Sequence, residues 1–277
     1  MNIRSTAVLS VEGTRPDPGP ATTHVEIHGV SKTFDSRQEK GVLALKGVDL
    51  SLSRGEFVSI VGPSGCGKST LLYMIAGLLM PSSGIISIDG EKLTKPDPRI
   101  GIVFQEFRIF PWKTALENVT FGLELKRRGN AAERADIARQ YLRMVGLEGA
   151  ENLLPKELSG GMKQRVAIAQ TFVCAPEVVL MDEPLGSVDS LTRETLQDEI
   201  LRIWGESKKT ILLVTHSIEE AIYLGQRVVV MSPRPGSVVD IFDVPLSYPR
   251  KPDMRTSPVV GELRNVIWEL IKSGVRG

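Results

Sequence analysis

Apolar positions along the chain come in two textures. Short runs bounded by Gly, Pro, Asp or Ser alternate with longer stretches of helical spacing. Val25 to Val30 alternates apolar and polar residues and predicts a half-buried strand, followed by Ser31-Lys32-Thr33-Phe34. Val42 to Leu52 predicts another, and Arg54-Gly55-Glu56 turns into Phe57 to Val61, a buried strand. Leu71 to Leu78 predicts an apolar helix. Pro81 to Gly84 reads as a turn, Ile85 to Gly90 as a short strand closing on Asp-Gly, and Ile100 to Phe104 as an apolar strand. From about Glu106 to Gln164 strand signals vanish. Helices are expected over Ala115 to Arg128, over Ala131 to Val145, and after Ser159. This reads as a helical subdomain, about residues 106–165, inserted into an α/β core. The core resumes with a helix through Gln170. Val178 to Met181 then suits a parallel strand buried on both faces. Helix Leu191 to Trp204, strand Thr210 to Thr215, helix Ser217 to Leu224, strand Arg227 to Met231 and a closing strand Ser237 to Val244 follow. Val259 to Lys272 predicts an amphipathic helix packed on the core. No internal repeat is visible.

Composition narrows the class. The 277 residues suffice for one large or two small domains, and 42% hydrophobic with 24% charged residues is ordinary for a soluble globular chain. A net charge of +1 supplies no basic field to hold nucleic acid. Two cysteines, Cys66 and Cys174, make no disulfide framework, which fits a reducing cytosol. Residues 1–21, with Pro16, Pro18, Pro20, Gly13 and Gly19, read as a flexible tail without the apolar run of a signal peptide. The longest apolar stretch, Leu71 to Met80, is too short to span a bilayer, so work at a membrane requires another chain to cross it.

The chemistry centres on Gly62-Pro63-Ser64-Gly65-Cys66-Gly67-Lys68-Ser69-Thr70, which fits G-x-x-x-x-G-K-[ST] between a strand and a helix. A loop entering a helix N-terminus there aims several backbone N–H groups at one spot, and the helix dipole adds partial positive charge, so a polyphosphate binds. Lys68 would reach the β- and γ-phosphates, and the Ser69 hydroxyl would ligate Mg²⁺. The pattern alone leaves kinase, GTPase, helicase and transporter open. A second stretch, Leu158-Ser159-Gly160-Gly161-Met162-Lys163-Gln164-Arg165, caps a helix with Ser159 and leaves its first amides bare at Gly160 and Gly161, a second phosphate-binding helix end.

This second stretch resembles the L-S-G-G-x-x-x-R signature, and with the P-loop it makes residues 22–250 similar to the ATP-binding subunit of an ABC transporter. The resemblance implies an α/β fold, a P-loop NTPase (RecA-like) core with an antiparallel β subdomain and the inserted helical one, with 251–277 as a helical extension. It implies ATP and Mg²⁺ as cofactors. By the same resemblance Asp182 stands on the Mg²⁺ side, Glu183 polarises the attacking water, and Gln105 meets Mg²⁺ and the γ-phosphate. Asp189 belongs to the loop Gly186-Ser187-Val188-Asp189, His216 holds the γ-phosphate, and Phe34 stacks on adenine. Ser159, Gly160 and Gly161 of one subunit would close on the ATP held by the P-loop of another, in a head-to-tail homodimer. His24 and His28 carry no such pattern and read as surface residues.

Several segments look like the nitrate/sulfonate/taurine importer subfamily: Val103-Phe104-Gln105 with Phe110-Pro111-Trp112, Asn118-Val119, Asp182 to Gly186, Ser190 to Arg193, Thr215 to Ala221, and Met231 to Gly236. That implies integral-membrane permease subunits, an extracytoplasmic solute-binding protein, no nucleic acid, and a peripheral place on the cytoplasmic face of the inner membrane. Phe107, Ile109, Phe110 and Trp112 would line the groove for the permease. About 60 residues follow His216, so no β-rich regulatory domain is expected. Exporter or lipoprotein-release ATPases and soluble non-transport ABC proteins are the other classes. Two-cassette chains and coiled-coil insertions, usual in the soluble class, are not visible here. Cys66, beside bare amides and Lys68, is expected to have a lowered pKa and to be open to alkylation.

Overall fold

The computed structural model describes residues 22–35, 41–186 and 188–275. The tail expected over 1–21 and Ser187 lie outside the described residues. The strands in chain order are β1 (Thr23–Phe34), β2 (Val42–Ser53), β3 (Phe57–Val61), β4 (Ser83–Ile88), β5 (Glu91–Lys92), β6 (Ile100–Val103), β7 (Val178–Asp182), β8 (Thr210–Val214), β9 (Arg227–Met231) and β10 (Val238–Asp243). They form two sheets. One is antiparallel, in the order β2-β1-β4-β5. The other runs β10-β9-β3-β8-β7-β6, parallel throughout except for the edge strand β10. Every residue of β3, β7 and β8 is buried, as their unbroken apolar runs require in a sheet covered on both faces.

The helices are α1 (Lys68–Ile75), α2 (Ala115–Leu125), α3 (Ala131–Met144), α4 (Gly160–Phe172), α5 (Ser190–Ser207), α6 (Ile218–Leu224) and α7 (Pro258–Val275). Polar caps set their starts. Thr114 with Glu117 and Asn130 with Glu133 close reciprocal capping boxes on α2 and α3, and Ser159, Asp189 and Ser217 cap α4, α5 and α6. The first three helices stop one to three residues short of the sequence expectation, for one shared reason. Gly77, Arg127 and Gly146 each adopt positive φ just past the helix. Their N–H groups and those of Leu78, Arg128 and Leu147 turn back onto the last carbonyls, to Met74 and Tyr73 in α1. Those paired bonds end the helix before its apolar pattern ends.

One core cluster joins the parallel sheet to the helical layer, with Val119, Leu142, Val166, Phe172 and Val179 among its members. A second seals α1 between the two sheets through Ile27, Leu45, Ile60, Leu71 and Leu72. Each such side chain contributes about 1.5–3 kcal/mol when fully buried. The amphipathic α7 packs Val260 and Ile267 against Ile222 and Val228, as its spacing predicts.

His24 departs from expectation. It is 1% exposed, not a surface residue, with Nδ1 2.7 Å from Thr210 Oγ1. Burial holds its imidazole below the ordinary histidine range, and the nearby Arg54 adds to the effect. Strict alternation would set it beside Glu26 and His28, but the β1–β2 register shifts between Thr23 and Val25, and His24 is buried next to Val25. His28 is exposed as expected.

Candidate active site

The parallel sheet brings four separated motifs to one edge. The carboxyl ends of the neighbouring strands β3, β8, β7 and β6 carry the P-loop, His216, Asp182 with Glu183, and Gln105 in turn. Ligands of open α/β sheets bind outside such strand ends.

The Gly62–Thr70 loop folds as the sequence requires. Gly65 and Gly67 have φ of +75° and +102°, a region open to glycine without strain. Gly67 starts α1 with no side-chain cap, which leaves the first-turn amides free for an anion. A Cβ there would also meet Leu45 Cδ2 at 2.6 Å. Lys68 reaches back over the loop, and its ammonium donates to Gly62 O at 2.9 Å and to Pro63 O at 3.2 Å. Ser64 and Gly65 are exposed, and Pro63, Ser69 and Thr70 are half-buried.

Across from the loop, the Ser69 hydroxyl donates to Asp182 Oδ1 at 2.8 Å. Asp182 is 2% exposed. Glu183 follows with φ of +43°, an unfavourable conformation for a residue with a Cβ. Its backbone N–H donates to Val214 O at 2.8 Å, which pins the turn to β8. Its Oε2 accepts from His216 Nδ1 at 3.0 Å. Such local strain, held by surrounding structure, is the kind found at functional sites, and the Glu183 side chain stays partly exposed beside His216. Gln105 is exposed at the end of β6.

The other expected residues form a second group, with no hydrogen bond to the first among the described residues. Ser159 Oγ accepts from Met162 N–H at 3.2 Å, which makes it the cap of α4. Gly161 packs so closely on Thr192 that a Cβ would come within 2.5 Å of its methyl carbon. Asp189 accepts from Thr192 N–H at 3.0 Å, and the α5 amides hold its carboxyl below the usual carboxylate range. Beside this junction lies an open cavity of about 340 Å³, lined by Gly146, Leu147, Ser159, Met162, Arg165 and Thr192. Gly160 is exposed on the first turn of α4. Phe34 is exposed at the end of β1, its ring 5.2 Å below the Lys32 ammonium. Trp112 is 72% exposed, while Phe110 is half-buried with an edge contact to Phe121.

Cys66 overturns its expectation. The thiol is 1% exposed, and burial pushes it above the ordinary cysteine range against the pull of Lys68. Its side chain turns inward under the loop, into the core beside Leu71 and Met231, rather than toward the bare amides.

A family profile described as ABC transporter matches residues 45–186, just over half of the chain. The chain belongs to the ABC transporter family. An uncharacterized ABC transporter ATP-binding protein of Methanocaldococcus jannaschii is 46% identical over 251 residues, covering 91% of this chain and 92% of its own length. The aliphatic sulfonates import ATP-binding protein SsuB of Bacillus cereus is 45% identical over 250 residues, covering 90% and 96%. A dimeric structure of the ATP-binding cassette MJ0796 in a post-hydrolysis state with ADP and Pi superposes with a TM-score of 0.72 at 38% identity, covering 80% of this chain and all of that one. The fold is therefore that of a P-loop ABC cassette, and the chain is an ATP hydrolase of the transporter type. No helix among the described residues is long and apolar enough to cross a membrane.

Three residues of this ABC cassette support the site without having been singled out by sequence. The Tyr73 hydroxyl donates to Asp182 Oδ2 at 2.8 Å, and burial with that bond pushes its phenol up to about 12. Its signal was present, since Tyr73 lies one turn beyond Ser69 on the same face of α1. Glu220 is 5% exposed and accepts from the Thr215 hydroxyl beneath His216, and burial raises its carboxyl above the usual range. Gly236 lies against the underside of the P-loop, where any Cβ would collide with the Cys66 carbonyl at 1.9 Å. Nothing in the Arg234-Pro235-Gly236 turn announces that contact.

Proposed function

We propose that this chain is the ATP-hydrolysing cassette of an importer for aliphatic sulfonates, taurine, nitrate or a similar small anion. The constellation of Ser69, Asp182, Glu183 and His216 at adjoining strand ends supports the hydrolytic part. The 45% identity to a sulfonate-import ATP-binding protein across 90% of the chain supports the importer part. Residues 22–250 are read as the ATPase domain with its insertion over 106–165, and 251–277 as the extension.

The residues suit the roles assigned to them. The bare amides of the loop and the α1 N-terminus bind the β-phosphate, and Lys68 exchanges its two carbonyl bonds for phosphate oxygens. Ser69, Asp182 and Gln105 offer an all-oxygen donor set of the kind Mg²⁺ takes, and Ser69 and Asp182 already lie 2.8 Å apart. The ion would neutralise charge on the phosphoryl oxygens when bound. Glu183 orients the water for in-line attack, and His216, held by Glu183 at 3.0 Å, reaches the γ-phosphate. Phe34 stacks on the adenine. Ser159, Gly160, Gly161 and Asp189 belong to the other half-site, closing on the nucleotide of a partner copy. Closure then depends on contacts that ATP makes and ADP lacks. Permease subunits dock on the face carrying Trp112, at the cytoplasmic side of the membrane, and a solute-binding protein supplies the anion from the other side.

Growth of a strain deleted for this chain tests the cargo. Loss of growth on taurine or an alkanesulfonate as sulfur source, or on nitrate as nitrogen source, restored by the wild type and not by Lys68→Ala, is the expected outcome. Normal growth on all three would remove the anion reading and leave the ATPase standing.

A further inference from the structure

At the amino end of β7, far from the nucleotide site, three potential metal ligands converge. His24 Nε2 lies 3.7 Å from Asp89 Oδ2 and 3.7 Å from Glu177 Oε2, and the three atoms fall within 4.8 Å of one another. We propose that His24, Asp89 and Glu177 form a site for a transition-metal dication of the zinc class, which clamps the antiparallel sheet to the parallel one.

The imidazole carries the inference. His24 is 1% exposed, and its Nε2 makes no hydrogen bond although it points at two carboxylates. The Thr210 hydroxyl already takes the other ring nitrogen at 2.7 Å and accepts from Gly55 N–H at 2.9 Å. When Nδ1–H donates to Thr210, the Nε2 lone pair faces two carboxylate acceptors, an arrangement that a metal cation satisfies and that otherwise needs a second ring proton, which burial disfavours. A metal-bound histidine commonly holds its second nitrogen in such a bond. Ligand atoms set on a tetrahedron at zinc bond lengths stand about 3.4 Å apart. The two histidine–carboxylate separations of 3.7 Å are close to that spacing, and the two partly exposed carboxylates, within 4.8 Å of each other, would draw together on the ion.

The backbone has already placed the ligands. Asp89 N–H donates to His24 O at 2.9 Å, and Thr210 N–H donates to Glu177 O at 3.1 Å. The charged groups acting on His24 are Asp89 and Glu177 with Arg54 and Arg99, and Arg99 Nη1 stands 3.8 Å from Asp89 Oδ2, so an ion enters by displacing guanidinium contacts. Arg54 is the competitor. It donates to Asp89 Oδ1 at 2.6 Å and to Glu177 Oε2 at 3.0 Å, with its side chain half exposed, so metal binding displaces it from Glu177 Oε2 toward solvent. Asp89 Oδ2 remains outside its grip. Imidazole with carboxylates selects zinc, cobalt or nickel over magnesium, so nucleotide-bound Mg²⁺ does not compete. Glu177 and Asp182 bracket β7, about 17 Å apart at strand rise, so the clamp acts on the fold and not on hydrolysis.

Titration of the full chain, stripped of metal and free of nucleotide, with Zn²⁺ alone tests the site, with the visible spectrum of added Co²⁺ as a second reading. The expected result is one equivalent bound and a Tm raised by several degrees at a hundredfold excess over Kd. Asp89→Asn and Glu177→Gln, both at partly exposed positions, should each lose at least about tenfold in affinity with ATPase rates unchanged. Arg54→Ala should bind more tightly. No bound Zn²⁺, or equal binding by the wild type and both carboxylate variants, would reduce the cluster to an ion-pair network.

Discussion

At the carboxyl end of β7, Asp182 and Glu183 meet Ser69 and His216; at its amino end, Glu177 meets His24, Asp89 and Arg54. Both ends gather acids, bases and a histidine. They differ in how the groups are held. The carboxyl end places its polar groups on strand ends and a helix start, with the Glu183 backbone at φ of +43° and the His216 and Glu183 side chains partly exposed. The amino end closes on itself, its carboxylates tied by guanidiniums and its histidine sealed from solvent. In the reading proposed above, one end receives ATP and hydrolyses it, while the other ties two sheets together. Titratable clusters alone therefore do not mark a catalytic centre, and location relative to the strand direction separates the two roles.

The comparison predicts unequal responses to substitution. Lys68→Ala should lower kcat by about 10²–10³-fold, since a phosphate clamp disappears. A steady-state ATPase assay checks it, and a loss below threefold would place the chemistry elsewhere. Tyr73→Phe should weaken Mg²⁺ binding about tenfold through Asp182, read as a rise in the Mg²⁺ titration midpoint rather than a change in ATP affinity. At the amino end, His24→Ala should leave kcat within about twofold while costing about 1–3 kcal/mol of stability by denaturant unfolding, because the buried imidazole and its bond to Thr210 are lost. A large kcat defect there would erase the distinction between the ends.

Smaller effects sharpen the picture. Cys66 should react slowly with iodoacetamide at neutral pH, accelerating only above the ordinary thiol range, since burial disfavours the thiolate. Rapid labelling of the folded chain would contradict its inward placement. Glu220 supplies a pH dependence with a definite sign. Burial raises its folded pKa above that of an unfolded glutamate, so between those two values the folded state holds more protons than the unfolded one. Stability then falls as pH rises through the raised folded pKa, and Glu220→Gln should flatten that slope. Unfolding curves across pH 4–8 measure it.

The same contrast explains what could be read from the sequence. Contiguous patterns such as Gly62 to Thr70 and Leu158 to Arg165 encode a loop and a helix start in one stretch, so their geometry follows from local chemistry. Apolar runs such as Phe57 to Val61 and Val178 to Met181 likewise set the parallel strands, whose shared direction gathers the motif ends. The amino-end cluster draws His24, Arg54, Asp89 and Glu177 from four separate segments, and no local pattern marks them. Single-residue surroundings were hidden for the same reason. The neighbours of Cys66 in sequence suggest reactivity, but the burial that sets its pKa comes from the core cluster it joins, which is assembled from several strands. Helix ends were overrun because an apolar pattern carries no record of the left-handed turn at Gly77, Arg127 or Gly146 that stops it.

The most direct measurement is ATP hydrolysis by Glu183→Gln beside the wild type, with ATP binding and assembly followed in the same samples. If the carboxyl end of β7 is the hydrolytic centre, turnover falls by at least about 10²-fold while ATP still binds and holds the chain as a dimer. Turnover within threefold of wild type would show that the water is activated by some other group, and the strand-end site would lose its catalytic role.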